Sequence, residues 1–141
     1  AFIPQKRGRI VNVVAEMSRG FPGMAHTGAA RAGVDNLTKT LAVEWAQFGI
    51  RVNAVAPGVI KTTGTRQYGE GLLESSKKAC PIKRLGTPEE VAHLINYLAS
   101  RYADFITGQT FYIDGGASLW GDTWFIPDEV PQYPPYPVPE D

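Results

Sequence analysis

Met24-Ala25-His26-Thr27-Gly28-Ala29-Ala30-Arg31-Ala32-Gly33-Val34-Asp35-Asn36-Leu37-Thr38-Lys39-Thr40-Leu41-Ala42-Val43-Glu44-Trp45 is the stretch that decides the fold. Steps of three or four residues bring Ala30, Val34, Leu37, Leu41 and Trp45 onto one side of a helix, and that side is expected to pack on a sheet. The helix is expected to run from about His26 to Phe48. Directly after it, Gly49-Ile50-Arg51-Val52-Asn53-Ala54-Val55-Ala56-Pro57-Gly58 reads as a turn and a short apolar strand that ends in a Pro-Gly break. Helix, turn, strand and loop make one αβ unit of a doubly wound α/β fold.

Upstream, Arg9-Ile10-Val11-Asn12-Val13-Val14 is a β-branched run with little alternation, the pattern of a parallel strand covered on both faces. Lys6-Arg7-Gly8 before it resembles the basic end of a helix closing at a glycine. Downstream, Val59 to Pro81 is polar and glycine-rich, with ambiguous helical turns around Gly71-Leu72-Leu73-Glu74, and a loop of that length is functional or mobile in most domains. Thr87-Pro88-Glu89-Glu90 is a strong helix start: Thr87 can cap, Pro88 suits the first turn, and Glu90 can reach back in a capping box. Val91, Leu94, Ile95 and Leu98 follow on one face. Thr107 to Gly116 then supplies a last short strand closed by a Gly-Gly turn. From residue 127 to 141 the chain is proline-rich, which excludes helix and inner strand. That tail reads as an extension lying on the surface or on a neighbouring subunit, or as a proline-motif ligand.

The 141 residues, 43% of them hydrophobic, suffice for one modest core. Fourteen basic and 14 acidic residues balance to zero, so no electrostatic footprint points to nucleic acid or to an anionic membrane. The single Cys80 excludes an internal disulfide and a multi-cysteine metal site. No apolar run approaches a membrane span and the first residues lack the order of a signal peptide, so a soluble, cytoplasmic protein is expected.

The run Ala32-Gly33-Val34 through Lys39, with Leu41-Ala42-Val43-Glu44, Gly49-Ile50-Arg51-Val52-Asn53 and Ala56-Pro57-Gly58, resembles the second half of a short-chain dehydrogenase/reductase. The wording His26-Thr27-Gly28-Ala29-Ala30-Arg31-Ala32-Gly33-Val34 is most similar to the peroxisomal trans-2-enoyl-CoA reductase type, and the resemblance covers roughly residues 8–127. It implies the C-terminal portion of a Rossmann-like doubly wound parallel sheet, with residues 1–126 as the second half of the domain and 127–141 as a tail. A dinucleotide site needs a glycine-rich turn between a strand and a helix, and none is present. The half carrying that turn is therefore expected to lie outside these residues.

In the family, a Tyr-x-x-x-Lys pair on the central helix performs the acid–base work. The matching positions here are Thr27 and Arg31, one helical turn apart on one face. Arginine can still donate to ribose hydroxyls and carry positive charge. The threonine hydroxyl is too weak an acid to transfer a proton near neutral pH. The family's serine position falls at about Val14 or Ala15, and Ser18 lies further along the loop. Carbonyl-reducing machinery is thus incomplete, whereas reduction of a conjugated C=C bond in an acyl thioester relies more on donors to the thioester oxygen. Thr27 and His26 are candidate donors, His26 reading equally as a residue bonded to nearby backbone. Tyr68 is the candidate displaced acid or a packing residue. Asp35 stands where related sequences can carry a tyrosine before Asn-Leu-Thr-Lys.

Pro57-Gly58-Val59-Ile60-Lys61-Thr62 resembles the family's Pro-Gly-x-Ile-x-Thr, which implies cofactor contacts from Arg31, Pro57, Gly58, Ile60 and Thr62. The implied activity is NADP(H)-dependent reduction of an enoyl-CoA or similar acyl thioester, as part of a longer enzyme. NADP(H) is placed ahead of NAD(H), although the discriminating residues belong to the absent half. The alternatives are a non-catalytic homologue acting in binding or assembly, and a 3-oxoacyl reductase. The expected partners are acyl-CoA or another small acyl substrate and further copies of the chain, as a dimer or tetramer. Gly28, Ala32 and Ala42 form a second small-residue face for a neighbouring helix, and Leu98 to Gly116 is a second candidate contact. Leu119, Trp120, Trp124 and Phe125 are expected to pack on a partner or to roof an acyl pocket.

Overall fold

The computed structural model describes residues 1–120 and 126–133. A single helical turn, α1 (Phe2–Gln5), leads into strand β1 (Gly8–Val13), helix α2 (Ala25–Glu44), strand β2 (Ile50–Pro57), helices α3 (Glu70–Ala79) and α4 (Pro88–Ala99), and strand β3 (Thr110–Ile113). The strands form one parallel sheet in the order β1-β2-β3, with Gly8 beside Ile50 and Ala54 beside Thr110. Parallel neighbours require crossovers. Here α2 makes the first on one face, and the chain through α3 and α4 makes the second, placing α4 on the other face.

Alternation along β2 explains the three layers. Ile50, Val52, Ala54 and Ala56 point towards α2, where Val34, Leu41 and Trp45 cover them together with Ile10 and Val14 from the β1 segment. Val55 points the other way, into a cluster with Val11, Val91, Leu94, Ile95 and Leu98. Every residue of β2 from Val52 to Ala56 is buried, as a central parallel strand requires. Cover on both faces is thus realised on β2, although the expectation concerns the Arg9–Val14 run. It does not hold for β1, which lies at one margin of the sheet, where four of its residues are only half-buried and Val13 is exposed.

The sequence-derived helix face of α2 is rotated in the structure. Val34, Leu41 and Trp45 pack on the sheet as expected, but Ala30 and Leu37 are exposed, and the fully buried positions are Thr38 and Ala42. Thr38 can be buried because both hydrogen-bonding functions of its hydroxyl are met: it donates to the Val34 carbonyl (2.8 Å) and accepts from Asn12 Nδ2 (2.9 Å). Ala42 thus belongs to the core and not to a second small-residue face. Gly28 lies under Phe21, whose Cβ is 2.8 Å from where a Gly28 Cβ would stand. Of the three residues proposed for a helix–helix contact, only Ala32 is exposed.

Other boundaries also shift. The helix ends at Glu44, and a separate 3-10 turn covers Ala46–Phe48. The opening helical turn closes at Lys6 in a left-handed conformation (φ 50°), and Gly8 already belongs to β1. The stretch from Val59 to Pro81 is largely ordered into a 3-10 turn, Gly64–Tyr68, and the full helix α3. The capping box at Thr87 forms as expected, with the Glu90 amide donating to Thr87 Oγ1 (3.3 Å) and the Thr87 amide to Glu90 Oε2 (2.9 Å). Leu119 is exposed, and Trp120 carries Lys83 Nζ 4.3 Å above its ring. Trp124, Phe125 and the tail beyond residue 133 lie outside the described residues. No helix among the described residues is long and apolar enough to cross a membrane.

Candidate active site

In an open α/β sheet, ligands bind beyond the carboxyl ends of the strands. Here that edge is built by the segments leaving β1, β2 and β3. The Glu16 amide donates to the Pro57 carbonyl (2.8 Å), and the Gly58 amide to the Ile113 carbonyl (3.1 Å), so the three strands stay stitched together just past their ends. Gly58 is required there: a Cβ would fall 2.9 Å from both Cα and Cβ of Asp114. The Pro57-Gly58 break lets the chain leave β2 while staying against the end of β3.

Beyond Gly58 the loop makes one isolated parallel bridge, in which the Gly86 amide donates to the Val59 carbonyl (3.0 Å) and the Lys61 amide to the Gly86 carbonyl (2.8 Å). A parallel bridge engages the residues flanking Ile60 and turns the N–H and C=O of Ile60 itself to the opposite side. Neither group has a partner among the described residues. Thr62 follows, exposed. Its amide donates to Thr65 Oγ1 (3.0 Å) and its own hydroxyl oxygen accepts from the Thr65 amide (3.2 Å), which leaves the hydroxyl proton free to donate. An amide, a carbonyl and a hydroxyl donor within three residues match the donor and acceptor pattern of a planar carboxamide.

Arg31 approaches the same edge from α2. Its Nη1 donates to the carbonyl of Val13, the last residue of β1 (3.0 Å), which places the guanidinium at the end of β1. Thr27, half-buried, sits one turn earlier on the helix, and His26 is exposed in the first turn. Tyr68 is exposed at the end of the 3-10 turn Gly64–Tyr68. No side-chain hydrogen bond joins His26, Thr27 or Tyr68 to another described residue. The structure thus brings Arg31, Pro57, Gly58 and Ile60 to one edge of the sheet, whereas Tyr68 stands on a separate turn. Ser18 is taken up by Glu16, which accepts from both its amide (2.7 Å) and its hydroxyl.

Several residues that support this edge escape sequence reasoning. Asp114 follows β3, and its carboxylate accepts from the amides of Gly116 (2.9 Å) and Ser118 (2.7 Å). Burial acts to raise the Asp114 carboxyl, but the bonds from Ser118 and Gly116 outweigh it and hold the group below the ordinary carboxylate range. The buried Cys80 thiol donates to the carbonyls of Gly115 (3.4 Å) and Asp114 (3.6 Å), tying the end of α3 to the same turn. Arg84 grips Glu90 with both Nη atoms (3.0 and 2.5 Å); these bonds hold Glu90 low and Arg84 high. An Asp followed by two glycines after an apolar run was the available signal for the first of these. A cavity of about 90 Å³ lies beneath the loop, between Val59, Cys80, Arg84 and Asp114. A shallower apolar groove of about 290 Å³ runs along the start of α2 past Met17, Phe21 and Ala29. No cluster of three potential metal ligands occurs among the described residues.

Comparison with known proteins agrees with this architecture. The family model described as enoyl-(acyl carrier protein) reductase matches residues 2–118. A 3-oxoacyl-[acyl-carrier-protein] reductase from Thermotoga maritima is 46% identical over 115 residues, covering 81% of this chain and 47% of the relative. A probable 2,4-dienoyl-CoA reductase from Bacillus subtilis is 46% identical over 127 residues, covering 84% of this chain and 49% of the relative. The peroxisomal 2,4-dienoyl-CoA reductase of Rattus norvegicus is 45% identical over 120 residues, with 82% and 41% covered. Among solved structures, a gluconate 5-dehydrogenase from Burkholderia cenocepacia, determined with NADP and tartrate, superposes with a TM-score of 0.78 at 32% identity, covering 83% of this chain and 47% of that one. The chain spans about half the length of the curated relatives it matches. A parallel Rossmann-like sheet wound on both faces, a Pro-Gly loop at its carboxyl edge and the family match over residues 2–118 together place the chain in the short-chain dehydrogenase/reductase family.

Proposed function

We propose that residues 1–126 form the C-terminal half of a reductase domain, followed by the tail 127–141, and that the complete protein reduces a conjugated enoyl thioester with NADP(H). The observation that carries this reading is the outward-facing N–H and C=O of Ile60, with Thr62 beside them, at the edge where Arg31 is anchored to Val13. These groups fit the carboxamide and ribose end of a nicotinamide nucleotide; when bound, that nucleotide supplies a hydride to the β-carbon of the substrate. Ile60 orients the carboxamide through its backbone, and Thr62 donates its free hydroxyl proton. Arg31 donates to the ribose hydroxyls and contributes positive charge. Thr27 and His26 donate to the thioester oxygen as negative charge develops there, the kind of stabilisation worth most in a site that excludes water. Tyr68 is the phenol we assign to protonate the α-carbon, which requires its turn to close over the edge. The choice of an enoyl over a 3-oxo substrate follows from Thr27, whose hydroxyl cannot serve as the proton donor for carbonyl reduction.

The similarity to 2,4-dienoyl-CoA reductases supports the acyl thioester, and the NADP in one structural neighbour supports the phosphorylated nucleotide. The free side chain of Thr27 favours one second reading, a non-catalytic homologue acting in binding or assembly. Mixing the complete protein with NADPH and a trans-2-enoyl-CoA or 2,4-dienoyl-CoA, and following loss of NADPH absorbance, separates the two. Turnover that falls by about 10²-fold in Arg31→Ala supports the enzyme. Saturable NADPH binding with no turnover of either thioester supports the binding role.

A further inference from the structure

The family match ends at residue 118, and beyond it the segment Ile126 to Tyr133, with prolines at 127 and 131, lies against the domain. The contact is made by Gln132. Its Nε2 donates to the carbonyls of Ile82 (2.9 Å) and Val130 (3.1 Å), and its Oε1 accepts from Arg84 Nε (3.1 Å). Arg84 has that donor to spare. Its Nη1 serves the Leu85 carbonyl (3.1 Å) and Glu90 Oε2 (3.0 Å), its Nη2 serves Glu90 Oε1 (2.5 Å), and the fork to Glu90 leaves the Nε–H facing away. Two residues on, Gly86 makes both hydrogen bonds of the bridge that turns Ile60 outward. The two also pack together: a Cβ on Gly86 would stand 2.5 Å from the tip of the Ile60 side chain, Cδ1. A continuous bonded route therefore runs from Gln132 through Ile82 and Arg84 to Gly86, and from Gly86 to Val59 and Lys61 on either side of Ile60.

We propose that Gln132 is a positioning residue: by clasping Ile82 and Arg84 it holds the Gly86 bridge, and so sets the orientation of the Ile60 backbone and the affinity for the nicotinamide nucleotide. The effect on the nucleotide rests on the reading of Val59–Thr62 as the cofactor loop. Glutamine is suited to the task because one amide supplies a donor for Ile82 and an acceptor for Arg84. Glutamate keeps the acceptor and loses the donor; alanine loses both.

The test compares wild type, Gln132→Ala and Gln132→Glu in the complete protein by amide hydrogen exchange and by steady-state kinetics with NADPH. Exchange at the Lys61 and Gly86 amides is expected to rise about tenfold in Gln132→Ala, with Val52 and Val55 unchanged. KM for NADPH is expected to rise roughly three- to tenfold with kcat within about twofold, and Gln132→Glu to lie between. Unchanged exchange at Lys61 and Gly86 in Gln132→Ala overturns the clasp, as does a fall in kcat with KM unchanged. A wild type that binds no NADPH, while Lys61 exchange still responds to Gln132→Ala, overturns the cofactor reading and leaves the clasp standing.

Discussion

Asn53 shows how much one side chain does in this fold. It lies on the central strand, 1% exposed, on the α4 side of the sheet. Its Nδ2 donates to the Ile106 carbonyl (3.0 Å) and its Oδ1 accepts from the Gln109 amide (3.1 Å), so one amide closes the turn that feeds β3 into the sheet. The same turn is held from the backbone of Val52, whose amide donates to Thr107 Oγ1 (3.1 Å) and whose carbonyl accepts from Gly108 (2.7 Å). Asn53→Ala removes two part-buried hydrogen bonds and leaves a cavity on the central strand, at a cost of about 1–3 kcal/mol. Urea unfolding should show a midpoint lowered by that loss divided by an unchanged slope; a loss within about 0.5 kcal/mol would mean that water satisfies both former partners. The strand itself was legible in Ile50 to Pro57, whose apolar run and Pro-Gly stop say what it is. The task of Asn53 was not, because its partners lie more than fifty residues away and nothing local marks them. Ile60 was legible only through the resemblance, whereas the physical reason its backbone is free lies in a bridge to Gly86 that no local pattern announces.

Among the elements, α4 is the most fully written in the sequence. Its start is specified by Thr87, Pro88 and Glu90, and its buried face by Val91, Leu94, Ile95 and Leu98, all of which the structure realises. Cap and core differ in weight, which makes a rank-order prediction. Thr87→Ala removes the acceptor for the Glu90 amide and should cost about 1 kcal/mol. Leu98→Ala empties a position that is 1% exposed between Val55 and Ala103, and should cost about 2–5 kcal/mol. Thermal or chemical unfolding of the two variants should keep that order; equal losses would mean that the α4 layer collapses around the missing side chain. Helix α2 was legible as a helix and misread in its rotation. An apolar-periodicity rule places Leu37 inside and Thr38 outside, but Asn12 on β1 and the Val34 carbonyl satisfy the Thr38 hydroxyl, so the smaller polar residue goes in. Asp35, one residue before Asn36, is likewise engaged, accepting from Thr110 on β3 and from Lys39 (2.6 Å).

For the whole molecule, the polar ties between layers make stability depend on pH with a defined sign. Asp35 joins α2 to β3, Glu90 joins α4 to the Arg84 loop, and Asp114 holds the turn after β3. The hydrogen bonds from Lys39 and Thr110 depress Asp35, the bond from Arg84 depresses Glu90, and at Asp114 the bonds from Ser118 and Gly116 overcome burial. In each case the folded carboxyl is more acidic than its unfolded counterpart, so the unfolded chain takes up protons first as the pH falls. The stabilisation is fully present above the unfolded values near 4 and is lost as the pH drops through the lower folded values. Urea midpoints should therefore be level from about pH 7 to 5 and decline below about 4. Because the 14 acidic and 14 basic charges balance at neutral pH, protonation also leaves a net positive chain whose self-repulsion adds to the decline. Salt and substitution separate the two contributions. Added salt screens the general repulsion, and Glu90→Gln removes one linked group, so its midpoint should start lower at pH 7 and fall less steeply towards pH 3 than wild type in the same salt. A Glu90→Gln curve parallel to wild type across that range would show that the Arg84–Glu90 grip carries no linked stability.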